Sequence, residues 1–528
     1  MPSAAGSRAS GRASTLSSGG RGRGRSAPPA GREEAGLRRQ AAGRGSGPAG
    51  QQQRFAGGRG AAAGEARHID APLLTSLIKG SSDAPSLMQL VERYHNCSTF
   101  NHIHAAAALT LFAKLVQHQR LPGDQAQAWL DVLVRAAAQQ VHAAGPRELV
   151  NMLHAVATLQ DRVQLHPSDS KFVEQLVEGL QSKVSVFNGQ DLSNTLWALA
   201  NLYGSHHNHS AFIQAWVSEA EGRLSGFKPQ ELSNSLWALA TLYGDQHSHS
   251  HFIQAWVREA ACRLSGFNPQ DLSNSLWALA KLGHTDCNFT ARLLRAASAQ
   301  LQGFNPQDVS NTAFALAALR YQDLDFMRQL IQQARSRLPD LTSQALANTL
   351  LAMAVLDHNN AAFVDDVVRH TMQRRDSLNN QGLCNTLWAL CILDHSPAAV
   401  LQPLLAEASS ALLLPDTVAG KQPELITHQC QAYQYLVTMA GQGLISPQLK
   451  VQHRQLWEVC QSAWAEQLQQ EARASFTQQQ VLQAVRELPG CEGATCEQLT
   501  EDGLLSIDVA LQLPDGRKVR KGLAGRAA

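Results

Sequence analysis

The stretch Phe267–Leu282, FNPQDLSNSLWALAKL, recurs with small changes at Phe187–Leu202, Phe227–Leu242, Phe304–Leu319, Leu341–Leu356 and Leu378–Leu393. A looser version, PRELVNMLHAVATL, occupies Pro146–Leu159, and HIHAAAALTLFAKL at His102–Leu115 keeps the same rhythm. The aromatic slot serves as a marker: His154, Trp197, Trp237, Trp277, Phe314, Leu351 and Trp388, spaced by 43, 40, 40, 37, 37 and 37 residues. A fixed period in that range is the signature of a helical solenoid, in which each unit packs mainly on its neighbours.

Each repeat reads as two helices. In Asn268-Pro269-Gln270-Asp271 the Asn side chain can accept from the third amide of the helix, and Pro sits where its missing N–H costs nothing. The acidic third residue suits both cap and dipole. Asn305-Pro306-Gln307-Asp308 repeats the device, and Lys228-Pro229-Gln230-Glu231 keeps all but the Asn. Leu272, Leu276 and Leu279 then define an apolar stripe, continued to Gly283. The second helix is clearest in FIQAWVREAACRL (Phe252–Leu264), where Phe252, Trp256, Ala260 and Leu264 recur every four residues, as do Phe212, Trp216, Ala220 and Leu224. The expected fold is therefore all-α, an α-solenoid of two-helix repeats.

Composition agrees with this. Charged residues are 17% of the 528, and the formal net charge is +2, so no basic excess marks the whole chain as a nucleic-acid binder. Nine scattered cysteines without a CxxC pair suit a reducing compartment better than a disulfide framework. No apolar run is long enough to span a membrane, so no membrane insertion is expected. Residues 1–67 are different, with twelve Arg, no Lys and three Glu among Gly, Ala and Ser. Such a segment cannot bury enough apolar surface to order itself, and its Arg- and Ser-rich, acid-poor composition is that of an organellar transit peptide. An RGG-like RNA-binding tail is the competing reading, on Arg21–Arg25 and Gly57–Gly60.

Beyond residue 67 the chain divides into divergent helical repeats (68–143), regular repeats (144–396), degenerate or capping helices (397–487) and a final segment (488–528). The 40-residue repeats carry an insertion between their helices, GSHHNHS (Gly204–Ser210) and GDQHSHS (Gly244–Ser250). Clustered histidines invite a metal reading, but no Cys or carboxylate stands at zinc spacing, so a solvated loop is favoured and no cofactor is expected. Near the C-terminus, Ile507, Val509, Leu511 and Leu513 alternate with polar or small residues before Pro514-Asp515-Gly516, a hairpin signal.

The repeated polar positions are the candidate binding residues. Asn fills one slot at Asn151, Asn194, Asn234, Asn274, Asn311, Asn348 and Asn385. Gln stands four residues earlier at Gln190, Gln230, Gln270, Gln307, Gln344 and Gln381. Gln270, Asn274, Trp277 and Lys281 share one helix face, and such an amide row with an aromatic centre can line a groove for a nucleic acid. The competing reading is structural, with Asn satisfying backbone groups of the neighbouring repeat as a ladder. A residue identical in every repeat cannot tell one base from another, so any readout falls to variable slots: Asn201, Thr241, Lys281, Ala318, Val355 and Ile392. The Trp slot reads as inter-repeat core, because Phe314 and Leu351 replace it. Between Pro146 and His395 there are 18 Lys+Arg and 22 Asp+Glu, so RNA binding requires basic residues to be gathered on the concave side and acids to be kept on the back.

PQDLSNSLWALAKL at this period resembles the octotricopeptide repeats of green-algal organellar RNA-binding proteins and the related leucine-rich region of FAST kinase-like proteins. LLSIDVALQLPDGRKV (Leu504–Val519) resembles the opening of a RAP domain, which follows such arrays in those families. The likeness covers about Ala144–Leu393 and Ser506–Val519. It implies binding of single-stranded organellar RNA in the chloroplast stroma or mitochondrial matrix, the chloroplast first. The implied roles are in RNA processing, rRNA processing, stability or translation, alongside other RNA-processing factors. Asp508 matches the first acidic position of a RAP domain, but the sequence after Val519, RKGLAGRAA, lacks the partner carboxylate that a catalytic metal needs, so the RAP-like segment reads as incomplete. The expectation is therefore a binding protein and not an enzyme. The alternatives are a HEAT- or armadillo-like scaffold for proteins, and a RAP-associated ribonuclease.

Overall fold

The computed structural model describes residues 69–119, 121–160, 162–163, 167–206, 209–244, 249–374, 379–395, 398–413, 423–471, 495–499, 506–512 and 518–521. The transit-peptide reading of 1–67, His207, His247 and the turn at Pro514-Asp515-Gly516 fall outside them. Two compact units divide the described chain; the first runs to Gly244 and includes His249–Trp256, and the second begins at Val257.

In the first unit, α1 (Ala71–Lys79), α2 (Ala84–Tyr94), α3 (His102–His118), α4 (Gly123–Ala138), α5 (Pro146–Leu159), α6 (Pro167–Gln181), α7 (Gly189–Tyr203), α8 (Ser210–Glu221) and α9 (Pro229–Tyr243) follow one another. The odd-numbered helices stack on each other in one layer and the even-numbered ones in a second. The first turns of α10 (Ser250–Ala261) belong to this unit. The second unit repeats the arrangement with α11 (Pro269–Lys281), α12 (Cys287–Gln300), α13 (Pro306–Leu319), α14 (Leu324–Ser336), α15 (Ser343–Val355), α16 (Ala361–Gln373), α17 (Asn380–Ile392), α18 (Ala398–Leu412), α19 (Pro423–Gly441), α20 (Pro447–Gln452) and α21 (Arg454–Glu471). The architecture is an all-α stack of two-helix repeats. Its first layer (α11, α13, α15, α17, α19, α21) is continuous through neighbouring pairs, and α12, α14, α16 and α18 form the second.

The caps behave as the sequence predicts. Asn268 Oδ1 accepts from Asp271 N at 2.9 Å while Asp271 accepts from Asn268 N at 3.1 Å, and Asn305–Asp308 and Asn188–Asp191 form the same box. At α9 only the return half exists, Lys228 N to Glu231 Oε2 at 2.8 Å, because Lys offers no acceptor. The far ends share a left-handed residue: Arg320, Asp357 and Asp394 have φ of 49°, 53° and 50°. The amide that follows closes a six-residue ring in each, as in Tyr321 N to Leu316 O at 3.0 Å and His358 N to Met353 O at 2.8 Å. In the longer repeats Gly204 (φ 53°, ψ −137°) and Gly244 (φ 60°, ψ −132°) adopt a conformation reserved for glycine, which turns the chain into the insertion.

Second-layer helices are pinned to their own repeat by buried tryptophans. Trp216 Nε1 donates to Leu192 O and Trp256 Nε1 to Leu232 O, both at 2.9 Å. The end of each second helix is also tied back to the residue that opens its own repeat: Arg223 Nη1 donates to Phe187 O at 2.8 Å, Gln300 Nε2 to Phe267 O at 2.8 Å and Arg374 Nη1 to Leu341 O at 3.2 Å. Many of the array's basic residues are therefore engaged in assembly.

At the C-terminal end the expected hairpin is present as β2 (Ser506–Gln512) and β3 (Lys518–Lys521), paired antiparallel with Val509 opposite Lys521. A third strand, β1 (Thr495–Leu499), which the alternation rule did not pick out, pairs antiparallel with β2 and puts Asp508 on the middle strand.

Candidate functional site

Within each unit, an inner first-layer helix is flanked by two similar helices and backed by its second-layer partner, so solvent reaches mainly one stripe. On α13 the residues from Asp308 to Ala317 are buried except Phe314, and α7, α9, α11, α15 and α17 follow the same pattern. The stripe has four positions, spaced by four, three and four residues. Gln307, Asn311, Phe314 and Ala318 fill them on α13, and Gln190, Asn194, Trp197 and Asn201 on α7. The remaining candidates take the same places: Gln230, Asn234 and Thr241 on α9; Gln270, Asn274 and Lys281 on α11; Gln344 and Asn348 on α15; Gln381 and Asn385 on α17. Continuing the 4-3-4 rhythm brings in residues that sequence reading missed: Lys114 on α3, Arg147 and Thr158 on α5, and Gln431 on α19.

The asparagines do form ladders in the second unit, but their partners are side chains and not the backbone groups expected. Asn311 Nδ2 donates to Asn274 Oδ1 at 3.2 Å, and Asn311 Oδ1 accepts from Gln307 Nε2 at 2.8 Å. Asn348 Nδ2 donates to Ser310 Oγ at 3.3 Å, and Gln431 Nε2 to Asn385 Oδ1 at 3.5 Å. Asn274, Asn311 and Asn385 are only 6%, 8% and 7% exposed. Behind the ladder, Ser273 Oγ donates to Asp308 Oδ1 at 2.7 Å between α11 and α13. Burial raises the carboxyl of Asp308, and raises that of Asp271 to about 6 with Asp308 adding to the effect.

At the aromatic slot Trp197 and Leu351 are buried between repeats, whereas Trp237, Trp277, Phe314 and Trp388 are half-buried on the stripe. Trp197 is 5% exposed and stacks on His154 of the preceding repeat with centroids 4.8 Å apart. Burial first, and then Lys114, lowers the His154 pKa to about 4, so the imidazole is neutral at physiological pH. The fourth position stays half-buried and varied. Thr158, Asn201 and Thr241 there bond to the carbonyl four residues back.

Electrostatically the stripe is one-sided. Its charged members on α3 to α19 are Lys114, Arg147 and Lys281, and none of its described positions is Asp or Glu. On α7, α9, α11 and α13 the acids sit instead in the first turn, as Asp191, Glu231, Asp271 and Asp308. This meets one half of the condition that the charge count had set for nucleic-acid binding, acids kept away, while only three basic residues stand on the stripe. The histidine loops depart from the solvated-loop reading at His209. Its ring is 8% exposed, edge-on to Tyr203 at 4.9 Å, and Nε2 lies 3.9 Å from Glu174 Oε1. His249 repeats the contact against Tyr243 at 4.7 Å, because an imidazole covers the tyrosine face left open by the inserted residues. No metal-holding group of three or more donors occurs among the described residues. No described helix is long and apolar enough to cross a membrane.

The fold and the stripe define a helical-repeat array with an uncharged-to-basic, amide- and aromatic-lined face. The family model that matches is the N-terminal domain of the Tbc2 translation factor, over residues 204–395, which takes in α8 to α17. No curated protein matches the sequence. Among solved structures, the chain is similar to a homology model of the full-length AP-3 complex in an intermediate open conformation. That likeness has 8% identity, 74% coverage of this chain, 72% of the other and a TM-score of 0.24, too low to carry an argument.

Proposed function

We propose that this chain binds single-stranded organellar RNA along the stripes of its first-layer helices and acts after transcription, in translation, RNA stability or processing. The observation that carries the reading is the exclusion of carboxylates from the described stripe positions on α3 to α19, in an array where acids outnumber bases. Similarity of residues 204–395 to a domain of a translation factor points the same way. The Arg- and Ser-rich first 67 residues support an organellar address, with the chloroplast preferred. In this reading the chain performs no chemistry. The RAP-like strands with Asp508 add a small accessory module and not a nuclease.

The test is crosslinking and immunoprecipitation of the tagged protein from cells, with sequencing of attached RNA. Enrichment of one or a few organellar transcripts supports the proposal. Background RNA together with a stably captured protein partner transfers the stripes to a peptide-binding scaffold.

A further inference from the structure

In the first unit, three successive stripes end in the same way. Thr158 Oγ1 donates to His154 O at 2.8 Å, Asn201 Nδ2 to Trp197 O at 2.8 Å and Thr241 Oγ1 to Trp237 O at 2.9 Å. In each case the carbonyl belongs to the aromatic-slot residue. A hydroxyl has a single proton, so Thr158 and Thr241 then present only lone pairs to a ligand, and Asn201 presents its Oδ1 with one remaining N–H. At Thr158 and Thr241 the fourth position is therefore an acceptor, while Asn201 between them offers both an acceptor and a donor. In the second unit the same position is Lys281, Ala318, Val355 and Ile392, a cation followed by apolar groups, so this polarity belongs to the first unit's stripes.

Resting on the RNA-binding reading above, we infer that Thr158 and Thr241 select bases that carry an exocyclic amine over uracil. Cytosine and uracil make the sharpest comparison. They share a ring, and they differ where cytosine places an N4 amine and uracil an O4 carbonyl. Facing an acceptor, the amine forms a hydrogen bond, while the carbonyl sets two lone-pair oxygens against each other and leaves both unsatisfied. Lys114, one helix earlier at the same stripe position, is a donor and contributes no such preference.

The experiment is fluorescence anisotropy of the full chain with labelled 20-mers of cytidine and of uridine at matched salt. The two acceptors predict tighter binding of the cytidine strand, by roughly threefold to tenfold for each engaged position. The T158V/T241V double variant keeps shape and removes the hydroxyls, so the ratio falls toward one; T158S/T241S restores the hydroxyls and the preference. Melting curves of both variants accompany the titrations. Equal affinity of the parent for the two strands, or a preference unchanged in T158V/T241V, overturns the inference while leaving RNA binding intact. Absence of binding to either strand at low salt overturns the RNA reading along with it.

Discussion

Replacing Asn311 by Ala removes two hydrogen bonds at once, the one to Asn274 Oδ1 and the one accepted from Gln307. Gln307 is exposed and can turn to water, whereas Asn274 is 6% exposed and loses its donor. One net bond of about 1 kcal/mol plus an unsatisfied buried acceptor of about 1–2 kcal/mol gives a loss of about 2–3 kcal/mol. For a cooperative unit of roughly 200 residues that is a fall in Tm of about 4–10 °C. Thermal melts of N311A, N274A and the double variant test this, because residues in contact should show coupling of about 1 kcal/mol. RNA affinity is measured on the same proteins. A melting temperature within about a degree of the parent, with weakened RNA binding, would refute the ladder and make Asn311 a ligand contact.

Asp271 and His154 should contribute pH dependences of opposite sign. Asp271 has a folded pKa of about 6 against 3.8 for the free carboxyl, so the folded state binds the proton more tightly. Its stabilising effect is full below about 3.8 and is lost as pH rises through about 6, on the order of 2 kcal/mol in all. D271N should flatten that slope in the second unit's denaturant midpoint, and an unchanged slope would count against buried-carboxylate strain. His154, at about 4 against 6.5, acts in the other sense: the first unit loses stability as pH falls through 6.5 toward 4, and H154F should abolish the loss. G204A should cost about 1–3 kcal/mol, because ψ −137° at φ 53° is closed to a Cβ. R320G should gain about 0.5–1 kcal/mol by relieving a left-handed arginine, and melts showing the reverse order would reject the turn assignment. W256F should lower the melting temperature through loss of the bond to Leu232 O, with RNA affinity unchanged; an affinity loss would place the second layer in the binding face.

Periodicity, caps and the apolar pattern are local properties, and they determined the two-helix repeat, its boundaries and the line of Gln, Asn, aromatic and variable residues. Each follows from the geometry of a single helix, which any one copy of the motif encodes. Three things lay beyond that reach. The partner of Asn311 is 37 residues away, and only the stacking of α13 on α11 shows that an amide meets an amide and not a carbonyl. The rhythm of α3 was legible, but its stripe residue Lys114 and Gln431 on α19 did not stand out as site residues because Ala107 and Gln431 replace the marker Asn, and only packing between neighbours shows that the same face is exposed. The charge count of the array was balanced, and its sorting, with acids in the first turns of α7, α9, α11 and α13 and none at the described stripe positions, depends on which side of each helix its neighbours cover. That is a property of the assembled layers, because burial is decided by what packs against a residue and not by the residue alone.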